Sequence, residues 1–300
     1  MRFPNAPVCR VRGSTAFSLR DASPKSATPQ PCSLIARCVS LGGECSMTLG
    51  FALVLVLTGH VIADFYLQTN RVARGKGESG TLLALHCGYY ALCMALFVSL
   101  TLPLDSIVPV WLALSLSHAL IDFGKARLEK RAGSSLVVFV IDQTLHILLC
   151  AAVVAAFCGG SPAIGVVGVL AGVMSPPSAA TALATGLVLL IIWRPGAIFV
   201  RLLLESVRIE GADAMHDGES TVEELRAGRW IGMLERTIIS VLALCGQFGA
   251  IAFVLTAKSI ARFKMLDDKE FAECYLVGTL ASTALAILVS LTILEVVAWS

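Results

Sequence analysis

Seven stretches of the 300-residue chain are long and almost wholly apolar: 49–68, 81–102, 108–124, 135–158, 179–193, 231–257 and 275–297. None alternates with the period of two that a half-exposed strand requires, and most approach the length of about 20 residues that carries a helix through a bilayer. A further stretch, 163–174, is short and Gly-rich and runs toward Pro176-Pro177. It suits a re-entrant piece or the first half of a broken span. Backbone groups in hydrocarbon must pair within one segment or around a closed barrel, so such runs specify helices. The pattern predicts an all-α fold, a polytopic transmembrane helical bundle of about seven spans, within a range of six to eight.

The basic residues between the runs give an orientation. The loop 69–80 holds Arg71, Arg74 and Lys76, and 125–134 holds Lys125, Arg127, Lys130 and Arg131, while 103–107 and 159–162 hold none. That alternation assigns 69–80 and 125–134 to the cytoplasm and the start of the first helix to the other side. The second half conflicts with itself. The segment 194–229 carries five Arg and 258–269 carries four basic residues, yet one expected span, 231–257, separates them.

Ionisable residues inside apolar runs are expensive and by default mark function. The first run contains His60, Asp64 and Gln68, four apart and so expected on one helix face. The second contains His86, the third the pair His118-x-x-x-Asp122 followed by Lys125, and the fourth Asp142-Gln143-x-x-His146, the same pair reversed. The reversal matches helices that alternate in direction. At about 1.5 Å per residue the three Asp and His86 lie roughly 5–12 Å from the cytoplasmic boundary, with the paired His about 6 Å deeper. Four His and three Asp from four helices thus share one layer.

Imidazole and carboxylate on facing helices suit a divalent transition metal, which could activate water for hydrolysis. His60, Asp64, His86, His118, Asp122, Asp142 and His146 are the candidate ligands, with Asp64, Asp122 and Asp142 as candidate catalytic bases. The same groups without metal suit proton relay, or plain interhelical hydrogen bonding. A second polar stripe is expected on a continuous helix through 231–257, where Arg236, Gln247 and Lys258 recur every eleven residues beside Glu235 and Arg262. It would line a cavity, receive the acidic layer, or reach lipid headgroups. The segment 205–229 is acidic with one imidazole, His216, and reads as a solvated loop with a capping box near Ser220 or Thr221.

Composition agrees with this sorting. Hydrophobic residues make up 56% of the chain and charged ones 15%, against about 25% in ordinary soluble domains. A disordered chain and a nucleic-acid binder with a broad basic face are excluded, and the lipid bilayer is the expected partner. Residues 1–46 hold six basic and two acidic residues without a sustained apolar period, which suits a disordered tail or an over-extended start before Met47. Domains are expected as this leader, a four-helix membrane half at 47–158 carrying the His/Asp layer, and a second membrane half at 159–300 with the cytoplasmic-type loop 194–229. The ten cysteines include no CxxC pair, so neither a disulfide framework nor zinc-finger spacing is indicated. Nothing in the sequence supports a homo-oligomer.

These residues resemble the membrane-protein family called domain of unknown function 3307. The resemblance rests on His60-x-x-x-Asp64-Phe65-x-Leu67-Gln68-Thr69, on His118-x-x-x-Asp122 with Asp142-Gln143-x-x-His146, and on Gly232-x-x-Glu235-Arg236 through Gly246-Gln247, Lys258-Ser259-x-x-Arg262-Phe263 and Gly278-Thr279-Leu280. It runs over about 49–297, weakly across 159–229. The resemblance implies a multi-pass protein of the bacterial inner membrane, with the layer near the cytoplasmic side, and brings no activity with it. The residues leave three functions open: metal-dependent, hydrolase-like chemistry on a lipid or amphiphile; ion- or proton-coupled transport; and anchoring without chemistry. Whether the protein is an enzyme is therefore left open.

Overall fold

The computed structural model describes residues 46–102, 104–133, 135–158, 176–207 and 222–298. The leader up to residue 45, the Gly-rich stretch 163–174 and residues 208–221, with His216 and the expected capping boxes at Ser220 and Thr221, lie outside the described residues. Among those described there is no strand. The helices are α1 (Ser46–Val61), continued by a π turn (Ile62–Tyr66), then α2 (Asn70–Gly75), α3 (Gly80–Thr101), α4 (Leu104–Ala132), α5 (Leu136–Cys158), α6 (Pro176–Val207), α7 (Val222–Leu244), α8 (Phe248–Ala261) and α9 (Lys269–Ala298). Six of them are long and apolar enough to cross a membrane: α1 with its π turn, α3, α4, α5, α6 and α9. The helical bundle is as expected, at the lower edge of the expected span count.

Hydroxyl and carboxylate caps start several helices where the chain leaves a loop. Thr69 Oγ1 accepts from Val72 N at 3.4 Å, Ser79 Oγ from Leu82 N at 3.5 Å, and Asp268 Oδ1 from Phe271 N at 3.1 Å. α4, α6 and α9 outrun their apolar stretches, because a helix anchored in the bundle continues through polar residues that the apolar pattern leaves out. α1 is the hub. It packs against α3, α5, α6 and α9, and 67% of its apolar window is buried, against 17% for α4 at the rim. Gly59 allows α1 to approach α3 closely. A Cβ there would lie 2.8 Å from Phe97 Cγ, and Cys93 Sγ donates to the Gly59 carbonyl at 3.6 Å.

Two expectations need correction. The first run is not a uniform α-helix to residue 68. Leu67 N bonds Ile62 O at 2.9 Å across a π turn, so Gln68 lies past this turn instead of one more α-turn along the His60–Asp64 face. Second, 231–257 is not one span. α7 stops at a glycine C-cap: Gly246 takes φ +68°, its N–H bonds Ala243 O at 3.0 Å, and Gln247 N bonds Leu242 O at 2.8 Å. This pair of bonds is the Schellman stop, which a left-handed Gly permits and other residues resist. α8 then folds back along α7, which brings Lys258 Nζ to 2.6 Å from Glu235 Oε2. With 14 residues α8 is about 21 Å long, short of the roughly 30 Å hydrocarbon core. The conflict in the basic-residue count rests on taking 231–257 as one full span, which the turn at Gly246 removes.

Pro195 removes from α6 the N–H that would bond Ile191 O. The neighbouring carbonyls on α6 serve other helices instead. Leu190 O accepts from Tyr66 Oη at 2.8 Å and Ile192 O from Arg236 Nε at 2.7 Å. Trp193 Nε1 donates to Thr237 Oγ1 at 2.9 Å, and Arg194 donates to the Phe65 carbonyl. These bonds tie α6 to the π turn on one side and to α7 on the other.

Candidate metal centre

All seven candidate ligands are buried and meet between α1, α3, α4 and α5. Each helix delivers its donors by its own spacing. The π turn presents Asp64, the α3 face presents His86, and the four-residue pairs of α4 and α5 present His118 with Asp122 and Asp142 with His146. His86 Nε2 lies 3.2 Å from Asp64 Oδ1, 3.0 Å from Asp122 Oδ2 and 3.2 Å from His118 Nε2, and His118 Nε2 is 3.8 Å from Asp122 Oδ2. One ring N–H cannot serve three acceptors at once. Four donors held about 2.1 Å from one tetrahedral ion would stand about 3.4 Å apart; the contacts above run from 3.0 to 3.8 Å, and one donor atom from each of the four residues lies within 4.8 Å of the others. A second set, Asp122, Asp142 and His146, shares Asp122 with the first.

His146 Nδ1 lies 2.9 Å from the Asp142 carbonyl, the contact that pins the Nδ1–H tautomer and leaves Nε2 as an acceptor. That Nε2 has no hydrogen-bond partner, and neither do Asp122 Oδ1, Asp142 Oδ1, His86 Nδ1 or His118 Nδ1. Buried polar atoms left in this number at one place need a reason, because each unsatisfied group costs about 1–3 kcal/mol.

The cluster also holds Lys76 and Tyr90, which the apolar pattern does not flag, beside Lys125 and Gln143, which it does. Lys76, from the turn after α2, bonds Asp122 Oδ2 at 2.9 Å and lies 3.9 Å from Asp64 Oδ1. Lys125 bonds Asp142 Oδ2 at 2.7 Å, and Gln143 Nε2 bridges Asp142 Oδ2 at 2.9 Å and Asp64 Oδ2 at 3.2 Å. Tyr90 stacks on His118 with ring centroids 3.5 Å apart, and its Oη is 3.4 Å from His60 Nδ1. In sequence Lys76 reads only as an orientation signal. Tyr90 does carry a signal, since it stands four residues after His86. His60 joins by ring contact, 5.0 Å from His146, and falls outside both four- and three-donor sets.

The second stripe is not a stripe. Glu235 and Lys258 pair across the hairpin, Arg236 turns to α6, and Gln247 is exposed at the tip. Gln68 is half-buried with its Nε2 unpartnered.

Fold and site together define an all-helical bundle of membrane-spanning length with a buried His/Asp cluster on its first four long helices. The family model described as "Protein of unknown function (DUF3307)" matches residues 52–167, the part of the chain that contains every residue of that cluster. The match confirms the resemblance over this region, whereas the motifs from Gly232 to Leu280 fall outside it. No curated protein and no solved structure matches the chain.

Proposed function

We propose that α1, α3, α4 and α5 hold a divalent transition-metal centre that hydrolyses a lipid or another amphiphile from within a bacterial inner membrane, near its cytoplasmic side. The observation that carries this reading is the convergence of His86, His118, Asp64 and Asp122 at ligand-to-ligand spacing. The donor set fits: imidazole nitrogen and carboxylate oxygen are mixed, as a borderline divalent metal prefers. Four protein donors close a tetrahedral zinc site, so a metal that accepts five or six ligands suits hydrolysis better. Such a metal would polarise the substrate and acidify a bound water. Asp142, oriented by Lys125 and Gln143, takes the proton of the attacking water and returns it to the leaving alcohol. The long apolar helices and the Lys/Arg-rich loops support the membrane setting and its orientation.

Metal analysis of detergent-purified protein tests the centre. Wild type is expected to carry at least one stoichiometric divalent ion and His118→Ala to lose it. A metal-free wild type that takes up none on titration overturns the reading.

One feature favours cation- or proton-coupled transport instead. Lys76 and Lys125 already neutralise part of the three-carboxylate charge, as tethered ammonium groups that an entering cation would displace. That reading predicts pH-dependent flux in vesicles that Asp122→Asn abolishes, with no stoichiometric metal in the resting protein.

A further inference from the structure

Between α6, α7, α8 and α9, on elements that do not contribute to the His/Asp cluster, lies a cleft of about 260 Å³. Glu235, Arg236, Lys258, Arg262, Tyr275 and Ser282 line it. Glu235 is the only acid among these six, and Lys258 takes it up at 2.6 Å. Arg236 and Arg262 therefore leave the lining with excess positive charge.

Arg236 is 5% exposed and, among the described residues, no carboxylate pairs with it. Its Nε is fixed to the Ile192 carbonyl at 2.7 Å, which orients the guanidinium plane. The Nη atoms lie near Gly232, where an added Cβ would stand 3.4 Å from Nη1, and both residues line the cleft. A guanidinium buried without an acid is strongly unfavourable unless an anion reaches it. Lys258 and Arg262 stand over the Tyr275 ring, 5.4 and 5.8 Å from its centroid, which holds both cations at the same lining. Tyr275 Oη is buried and has no hydrogen-bond partner.

We propose that this cleft binds a phosphate group, gripped by the Arg236 fork, by Arg262 as a second cation and by the Tyr275 hydroxyl as a neutral donor. A planar guanidinium with a second cation matches a tetrahedral oxyanion better than a halide. The volume falls below the roughly 300–1,000 Å³ of sites that enclose a drug-sized ligand, so it takes a headgroup or a free phosphate and not a whole lipid. The site does not depend on the metal reading.

Thermal unfolding of the full-length protein in non-ionic detergent tests it, with dihexanoyl phosphatidic acid, dihexanoyl phosphatidylcholine or inorganic phosphate as the probe. Phosphatidic acid is expected to raise Tm saturably, by roughly 5–10 °C at a hundredfold excess over Kd. A rise with phosphatidic acid alone identifies a lipid headgroup; an equal rise with inorganic phosphate identifies a soluble ligand. Arg262→Gln, at the half-buried rim, is expected to raise the half-saturating concentration at least about tenfold, and Arg236→Gln to abolish the response. His118→Ala keeps the response of wild type. The proposal is overturned if neither phosphate probe shifts Tm, if phosphatidylcholine acts as strongly as phosphatidic acid, or if Arg262→Gln responds as wild type does.

Discussion

In the amino-terminal part, α1 with its π turn, α3, α4, α5 and the turn after α2 bring three carboxylates, four imidazoles and two ammonium groups toward one another. In the carboxyl-terminal part, α6 to α9 leave a buried guanidinium facing a cleft whose acid, Glu235, is taken up by Lys258. Both regions put charge where hydrocarbon-like packing surrounds it, but they balance it differently. The first compensates most of its charge internally, holds one nitrogen or oxygen from each of several side chains at close spacing, and leaves other atoms of those side chains unpartnered. The second is left with positive charge and room. A cluster that nearly neutralises itself and still orphans donors points to a small cation, whereas an unpaired cation beside a cleft points to an anion. The backbone follows the same division. The first region rests on continuous helices with one π turn, and the second on a helix broken by Gly246.

The comparison can be broken most forcefully at Asp122, the carboxylate shared by both donor sets. Asp122→Asn is expected to abolish stoichiometric metal and to leave Lys76 without its nearest charge, destabilising the protein by about 3–5 kcal/mol. Denaturant unfolding and metal content read the two effects, and the phosphate response of the cleft should survive in the folded fraction. Gly59→Ala comes next. Its Cβ would press on Phe97, and overpacking of this kind costs about 1–3 kcal/mol. Metal affinity should fall because α1 carries His60 and Asp64, while the phosphate-induced shift in Tm stays unchanged; a loss of the phosphate response would show that the two regions are not separable. Gly246→Ala reverses the test. A non-Gly residue in the left-handed conformation costs about 1–2 kcal/mol, so the hairpin should loosen and phosphate binding weaken with metal content intact. Tyr90→Phe is the mildest change. It keeps the stack on His118 and removes the hydroxyl with its long contact to His60 and its hydrogen bond with Cys150, an effect expected at about 1 kcal/mol by thermal unfolding, with metal still bound.

Much of the first region is legible in the sequence because helix geometry is local. The spacing His118-x-x-x-Asp122 and its reversal Asp142-x-x-x-His146 place each pair on one face before any packing is known, and the loop signals set neighbouring helices antiparallel. Lys76 and Lys125 are less legible as members of the cluster. A flexible four-carbon side chain reaches inward from a turn or a helix face, and nothing in its neighbours states where it ends. The eleven-residue recurrence of Arg236, Gln247 and Lys258 misleads for a related reason. It presumes a continuous helix, and one left-handed glycine brings Lys258 to Glu235 by folding back and leaves Gln247 at the tip.

The sequence by itself determined that the chain is helical, that its long apolar helices suit a bilayer, and which imidazoles and carboxylates share a helix face. These follow from composition and from periodicity within single segments. Only the tertiary structure decided that four faces meet at ligand-to-ligand spacing, that two lysines share the site, that α8 turns back along α7, and that Arg236 is buried beside a cleft. Those facts depend on distances between segments remote in the chain, which are set by packing at close approaches such as Gly59 against Phe97 and by where a backbone stops.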